Sequence, residues 1–164
     1  MKVEFSRLRR GELIAGAAAL VLILTLFGLP WYGLTGAAQR SADALGISTS
    51  VNGWHGLTDL RWLILLTALT GLALAVAQSA CRAPALPVSL STITTVLGVV
   101  TCLALIDRVL LNVPGPSELV GARVGAYVGL ISGLALTAGA FVSLREEDPA
   151  DPVRNAAIET VHLG

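Results

Sequence analysis

Four apolar runs, at residues 13–31, 62–80, 88–111 and 124–144, constrain this chain more than any other feature of it. A helix rises about 1.5 Å per residue, so about 20 apolar residues cross the ~30 Å hydrocarbon layer of a bilayer. Each run is close to that length, and the runs are separated by residues that stop helices. Pro30 falls at the end of the first, Pro84 and Pro87 stand between the second and third, and Asn112, Pro114, Gly115 and Pro116 separate the third from the fourth. The pattern predicts an all-α membrane protein, an antiparallel bundle of four transmembrane helices within residues 1–144, followed by an acidic tail at 145–164.

Composition agrees with that reading and excludes several chemistries. Of 164 residues, 54% are hydrophobic and 13% charged, whereas soluble domains carry roughly a quarter charged residues. Eleven basic and 11 acidic side chains cancel, leaving no basic surface to follow nucleic-acid phosphates. Cys81 and Cys102 make no Cys-x-x-Cys pair, and His55 and His162 fall short of the four axial ligands of a two-haem cytochrome. No cofactor, metal or catalytic constellation is expected. Lys2, Arg7, Arg9 and Arg10 precede an apolar run too long for the core of a signal peptide, so the first run reads as an uncleaved span.

Orientation follows from the basic residues, because Lys and Arg resist translocation. With four spans the two termini share a side, which holds seven of them (Lys2, Arg7, Arg9, Arg10, Arg82, Arg145 and Arg154) against four on the other (Arg40, Arg61, Arg108 and Arg123). Both termini are expected in the cytoplasm, in a multi-pass protein of a bacterial cytoplasmic membrane. The acidic tail, with Pro152 placed to start a short helix after Asp151, is expected to be solvated and little ordered.

The outer loop, 32–61, is the one sizeable extramembrane connection. Its first half, Gly36 to Leu45, suits a short interfacial helix. In its second half Ile47, Thr49 and Val51 alternate with Ser48 and Ser50, and Asn52-Gly53 supplies the residues favoured in a two-residue hairpin turn, so a small extracellular β-hairpin capping the bundle is expected. Trp31, Tyr32, Trp54, Trp62 and Tyr127 all map to the outer half. They form either an aromatic belt at the headgroup layer or the lining of a partner surface.

Two further patterns single out residues. Gly121, Gly125, Gly129 and Gly133 recur every four residues, which on one helix makes a ridge without side chains for close packing, within the bundle or against another subunit. Near the outer helix ends Asp59, Arg61, Asp107, Arg108, Glu118 and Arg123 bring three acids and three bases to one level. Asp107, roughly 28 Å along its helix from Val88, sits at the interface. Pairing of Asp107 with Arg123 or Arg61 into an interhelical clamp is the expectation, with a functional carboxylate as the alternative.

The basic start with Gly11 to Gly16, the Leu29-Pro30-Trp31-Tyr32 corner, PALPVSLSTITTVLG at 84–98 and GAYVGLISGLALTAGAFVSLREE at 125–147 resemble a group of uncharacterised small four-span integral membrane proteins of actinobacteria. The resemblance implies the same four-span fold and brings no catalytic motif. Trp54 with Gly56 and Leu57 in a large first outer loop is also similar to claudin-type proteins, but without their extracellular cysteine pair. The function these readings point to is that of a non-enzymatic accessory or scaffold subunit, surrounded by membrane lipids and associated with other membrane subunits or with copies of itself. The alternatives are a small oligomeric transporter or channel with Thr and Ser positions lining a path, and a lipid-headgroup-modifying enzyme using Asp59, Asp107 or His55.

Overall fold

The computed structural model describes residues 10–80, 90–115 and 119–146, with the side chains of 78–80 and 146 left aside. The basic N-terminal residues before Arg10, Cys81, Arg82, Pro84, Pro87, Pro116, Glu118 and residues 147–164 of the tail lie outside the described residues. So does the tail's expected short helix.

The apolar runs fold as helices: α1 (Arg10–Gly28), α4 (Arg61–Ala80), α5 (Leu90–Ile106) and α6 (Val124–Glu146). Between the first two lie β1 (Pro30–Leu34), α2 (Gly36–Ala44), β2 (Ser50–Asn52) and α3 (Gly53–Gly56), and before α6 lies β3 (Val120–Ala122). α5 ends in a π-helical turn, Asp107–Leu111, closed by the Asn112 N–H donating to the Asp107 carbonyl at 2.6 Å. Three helices are long and apolar enough to cross a membrane, at Arg10–Gly28, Leu90–Leu111 and Val124–Arg145, while the apolar part described for α4, Arg61–Ala77, is shorter.

The helices form a closed antiparallel ring in which α1 packs on α6 and α4, and α5 packs on α4 and α6. Small residues set the close approaches. A methyl group built on Gly16 would stand 2.8 Å from Ala75 Cβ, one on Gly71 would stand 3.2 Å from Ala19 Cβ, and one on Gly139 would stand 2.6 Å from the Ala15 backbone nitrogen. Polar side chains are found inside the bundle and large apolar ones on its surface. Thr25, Thr67, Ser91, Thr94, Thr101, Ser132 and Ser143 are buried, while Leu20, Leu24, Leu66, Val96, Leu103 and Ile131 are exposed. The hydroxyls share the interior with Leu22, Leu26, Ile64, Leu74, Leu105 and Leu136, and the many large aliphatic residues left outside are what a bundle surface facing lipid would carry, since lipid offers no hydrophobic penalty to exposed leucine.

The first run is displaced from its expected position. The helix covers 10–28, and Trp31 stands in a strand beyond it. Proline disfavours helical geometry in the residue before it, so the chain turns extended at Leu29 and runs on as β1. β1 is the centre of a three-stranded sheet ordered β2-β1-β3, antiparallel to both neighbours, with Tyr32 opposite Val51 on one side and Ala122 on the other. The expected hairpin around Asn52-Gly53 does not form. Asn52 is instead the N-cap of α3, its Oδ1 accepting from the His55 N–H at 3.1 Å, and β2 pairs back to β1. Asparagine serves either role, and pairing with β1 decides between them. The expected short helix at Gly36 to Leu45 is present as α2.

Candidate functional site

The candidate site is the capped end of the bundle, where the sheet, α3, the π-helical turn and four helix ends meet. A helix end leaves carbonyls without intrahelical partners, and where the end is packed over by a cap other groups must donate to them. At the end of α1 two side chains supply them. Trp31 Nε1 donates to the Thr25 carbonyl at 2.7 Å, and Asn52 Nδ2 donates to the Phe27 carbonyl at 3.1 Å. Asn52 thus caps α3 with its oxygen and α1 with its nitrogen.

The Trp31 ring is fully buried against the glycine ridge of α6. A methyl group on Gly125 would stand 2.6 Å from the Pro30 carbonyl oxygen and 2.8 Å from Trp31 Cδ1, and one on Gly129 would overlap the indole itself. Gly133 faces α5 instead, 3.4 Å from Leu105 Cδ1 by the same measure. The ridge is therefore occupied within the chain. Gly121 does not belong to it: α6 starts at Val124, and Gly121 lies in β3, facing the Thr35 methyl.

Tyr32 is as deeply buried as Trp31, so neither ring takes part in a surface belt or lines a partner surface. The reason is non-local, since the space that receives Trp31 is made by glycines nearly a hundred residues later in the chain. Tyr32 donates its hydroxyl to the Arg108 carbonyl at 3.2 Å, tying β1 to the π-helical turn. Burial pushes its phenol up to about 12, the Arg108 charge acting in the opposite direction. Trp62 and Tyr127 are exposed and Trp54 is half-buried. Phe27, unremarked in the sequence, joins them: its ring centroid is 5.0 Å from that of Trp54, and Trp54 meets Trp62 edge-on at 5.3 Å.

The charged residues gather at this end but pair differently from the expectation. Asp107 joins neither Arg123 nor Arg61; it accepts from Asn112 Nδ2 at 2.7 Å, a neighbour brought within reach by the π-helical turn. Arg108 reaches Asp59 at 3.7 Å, with the Asp59 side chain 83% exposed, so water screens the pair. Arg123 fastens the sheet, its Nη2 donating to the Leu34 carbonyl at 2.7 Å and its backbone N–H to the Trp31 carbonyl at 2.7 Å. Arg61 lies over Trp54 and Trp62, its guanidinium carbon 5.2 and 5.8 Å from the two ring centroids.

A shallow cleft of about 400 Å³ opens beside this cluster, lined by Phe27, Gly28, Leu29, Pro30, Ser50, Val51, Asn52 and His55. His55 Nδ1 is 2.7 Å from Asn52 Oδ1 and is exposed. Among the described residues, no group of three His, Cys, Asp or Glu side chains is placed to hold a metal ion. Compared with known proteins, the chain matches no family model, no curated protein and no solved structure.

Proposed function

We propose that the chain is a four-span membrane protein of the small actinobacterial kind its sequence resembles, with α4 as the remaining span and both termini in the cytoplasm. Its work is that of a non-enzymatic accessory or scaffold subunit, holding a rigid outer cap toward a partner subunit in the same membrane. The observation that carries the reading is the welding of the cap to the bundle. Trp31 and Tyr32 of the central strand are buried among the helix ends, while the rim of the cap exposes Leu45, Ile47 and Val51. A rigid scaffold presenting apolar side chains beyond the helix ends suits recognition of a partner surface.

The transporter reading draws less support from the interior. Thr67 and Thr101 share a hydrogen bond at 2.6 Å between α4 and α5. Thr94, Thr95, Ser132 and Thr137 donate to carbonyls four residues back in their own helices. Hydroxyls engaged in this way act in helix packing. Of the groups considered for an enzyme, Asp59 is engaged by Arg108, Asp107 by Asn112 and His55 by Asn52.

Purification of the tagged full chain from its native membrane in a mild detergent, followed by mass spectrometry, tests the reading. A membrane protein is expected in stoichiometric amount, and Ile47→Asp with Val51→Asp should release it while leaving the bundle's thermal stability unchanged. Recovery of the chain alone, or retention of the partner by the double variant, overturns it.

A further inference from the structure

We propose that Arg61, between Trp54 and Trp62, binds the phosphate of an anionic glycerophospholipid in the leaflet at the capped end of the bundle. Arg61 opens α4, at the level where the apolar helix surface gives way to the cap. Phe27, Trp54 and Trp62 form a continuous aromatic collar there, from the end of α1 to the start of α4. The guanidinium lies over two of these rings, which fix its plane by cation–π attraction.

What the collar does not supply is an acceptor. Asp59, two residues away, faces Arg108. Among the described residues the half-buried Arg61 side chain has no carboxylate, carbonyl or hydroxyl to donate to; its Nε is enclosed, and its terminal nitrogens are the donors left to meet an anion. A guanidinium presents a planar fork of donors that matches phosphate oxygens in pairs. In the headgroup layer the phosphodiester is the complementary anion. Below Arg61, exposed Trp62, Leu66 and Leu69 continue down α4 at helical spacing and offer a track for an acyl chain. A choline headgroup would bring an ammonium toward the guanidinium, so a headgroup with net negative charge is favoured.

This inference rests on α4 lying against lipid and not on the cap meeting a protein partner, so either can fail alone. It is tested on the full chain reconstituted in phosphatidylcholine vesicles, with tryptophan fluorescence quenched by increasing fractions of acyl-brominated phosphatidylglycerol or of acyl-brominated phosphatidylcholine. Buried Trp31 contributes a constant background. Half-maximal quenching is expected at an about fivefold lower fraction of the brominated phosphatidylglycerol, the effect of one basic residue at an anionic surface. Arg61→Gln should merge the two curves, and Arg61→Lys should keep part of the separation. Arg40→Gln, which removes an exposed charge from α2, should keep all of it. Should Arg61→Gln fail to fold, Trp62→Leu at its exposed position serves instead, with Trp54 reporting a reduced preference. Equal quenching by both lipids in the parent chain, a preference surviving Arg61→Gln, or an equal loss in Arg40→Gln would overturn the site.

Discussion

The indole of Trp31 packs against Gly129 so closely that a Cβ at that position would overlap its ring. This contact joins the central strand of the cap to α6 and sets how deep the sheet sits on the bundle. Gly129→Ala should therefore lower stability by about 1–3 kcal/mol, the usual cost of overpacking a filled core. Leu134→Phe, on an exposed position of the same helix, should change it by less than about 0.5 kcal/mol. Thermal unfolding in one detergent checks both. Adding Trp31→Phe to Gly129→Ala should recover part of the loss, because the smaller ring leaves room for the methyl group.

Tyr32 makes stability depend on pH at the alkaline end. Its phenol is raised to about 12 from 10.0 by burial, so the folded state favours the protonated form. The contribution is complete below pH 10 and is lost as pH rises toward 12. Unfolding midpoints measured across that window should fall more steeply for the parent chain than for Tyr32→Phe, which lacks the titrating group. The same replacement removes the hydrogen bond to Arg108 and should cost about 1 kcal/mol at neutral pH. An identical alkaline slope in both proteins would contradict the buried phenol.

The charges at the capped end should separate into two classes. Asp59→Asn breaks a pair whose acid is exposed to water and should cost less than about 1 kcal/mol. Arg123→Met keeps the apolar stem but leaves the Leu34 carbonyl without its donor. A loss of about 1–3 kcal/mol is expected. Amide exchange should quicken first at Thr35, whose N–H donates to the Leu119 carbonyl beside β3.

The sequence and the structure agree where information is local. Each long apolar run became a helix because about 20 consecutive apolar residues have few other stable solutions, and the four-residue spacing of Gly125, Gly129 and Gly133 made a ridge that could be read directly. In sequence Trp31 and Tyr32 fall in the outer half beside the first apolar run, where amphipathic rings favour the headgroup layer. Their burial depends on glycines of α6 and on β3, which no local pattern announces. Gly121 fitted the glycine spacing yet sits in a strand, since pairing with Gly33 of β1 takes precedence over helix continuation. Asp107 does stand at the capped end of the bundle, but the π-helical turn that hands it Asn112 has no sequence signature of its own. The aromatic collar on Arg61 was half legible: Trp54 and Trp62 stood out, whereas Phe27 was hidden in the apolar run of α1.

In the proposed arrangement all four helices cross the membrane, with the cap outside and the other end of the bundle in the cytoplasm. Single cysteines at Ser48→Cys, in the exposed loop before β2, and Arg145→Cys, at the exposed far end of α6, report on it in a background in which Cys81 and Cys102 are replaced. In intact cells a membrane-impermeant maleimide should label the cysteine at position 48 and should reach position 145 only after permeabilisation. Labelling of both positions from outside would contradict the four-span arrangement, and labelling of position 145 alone would invert it.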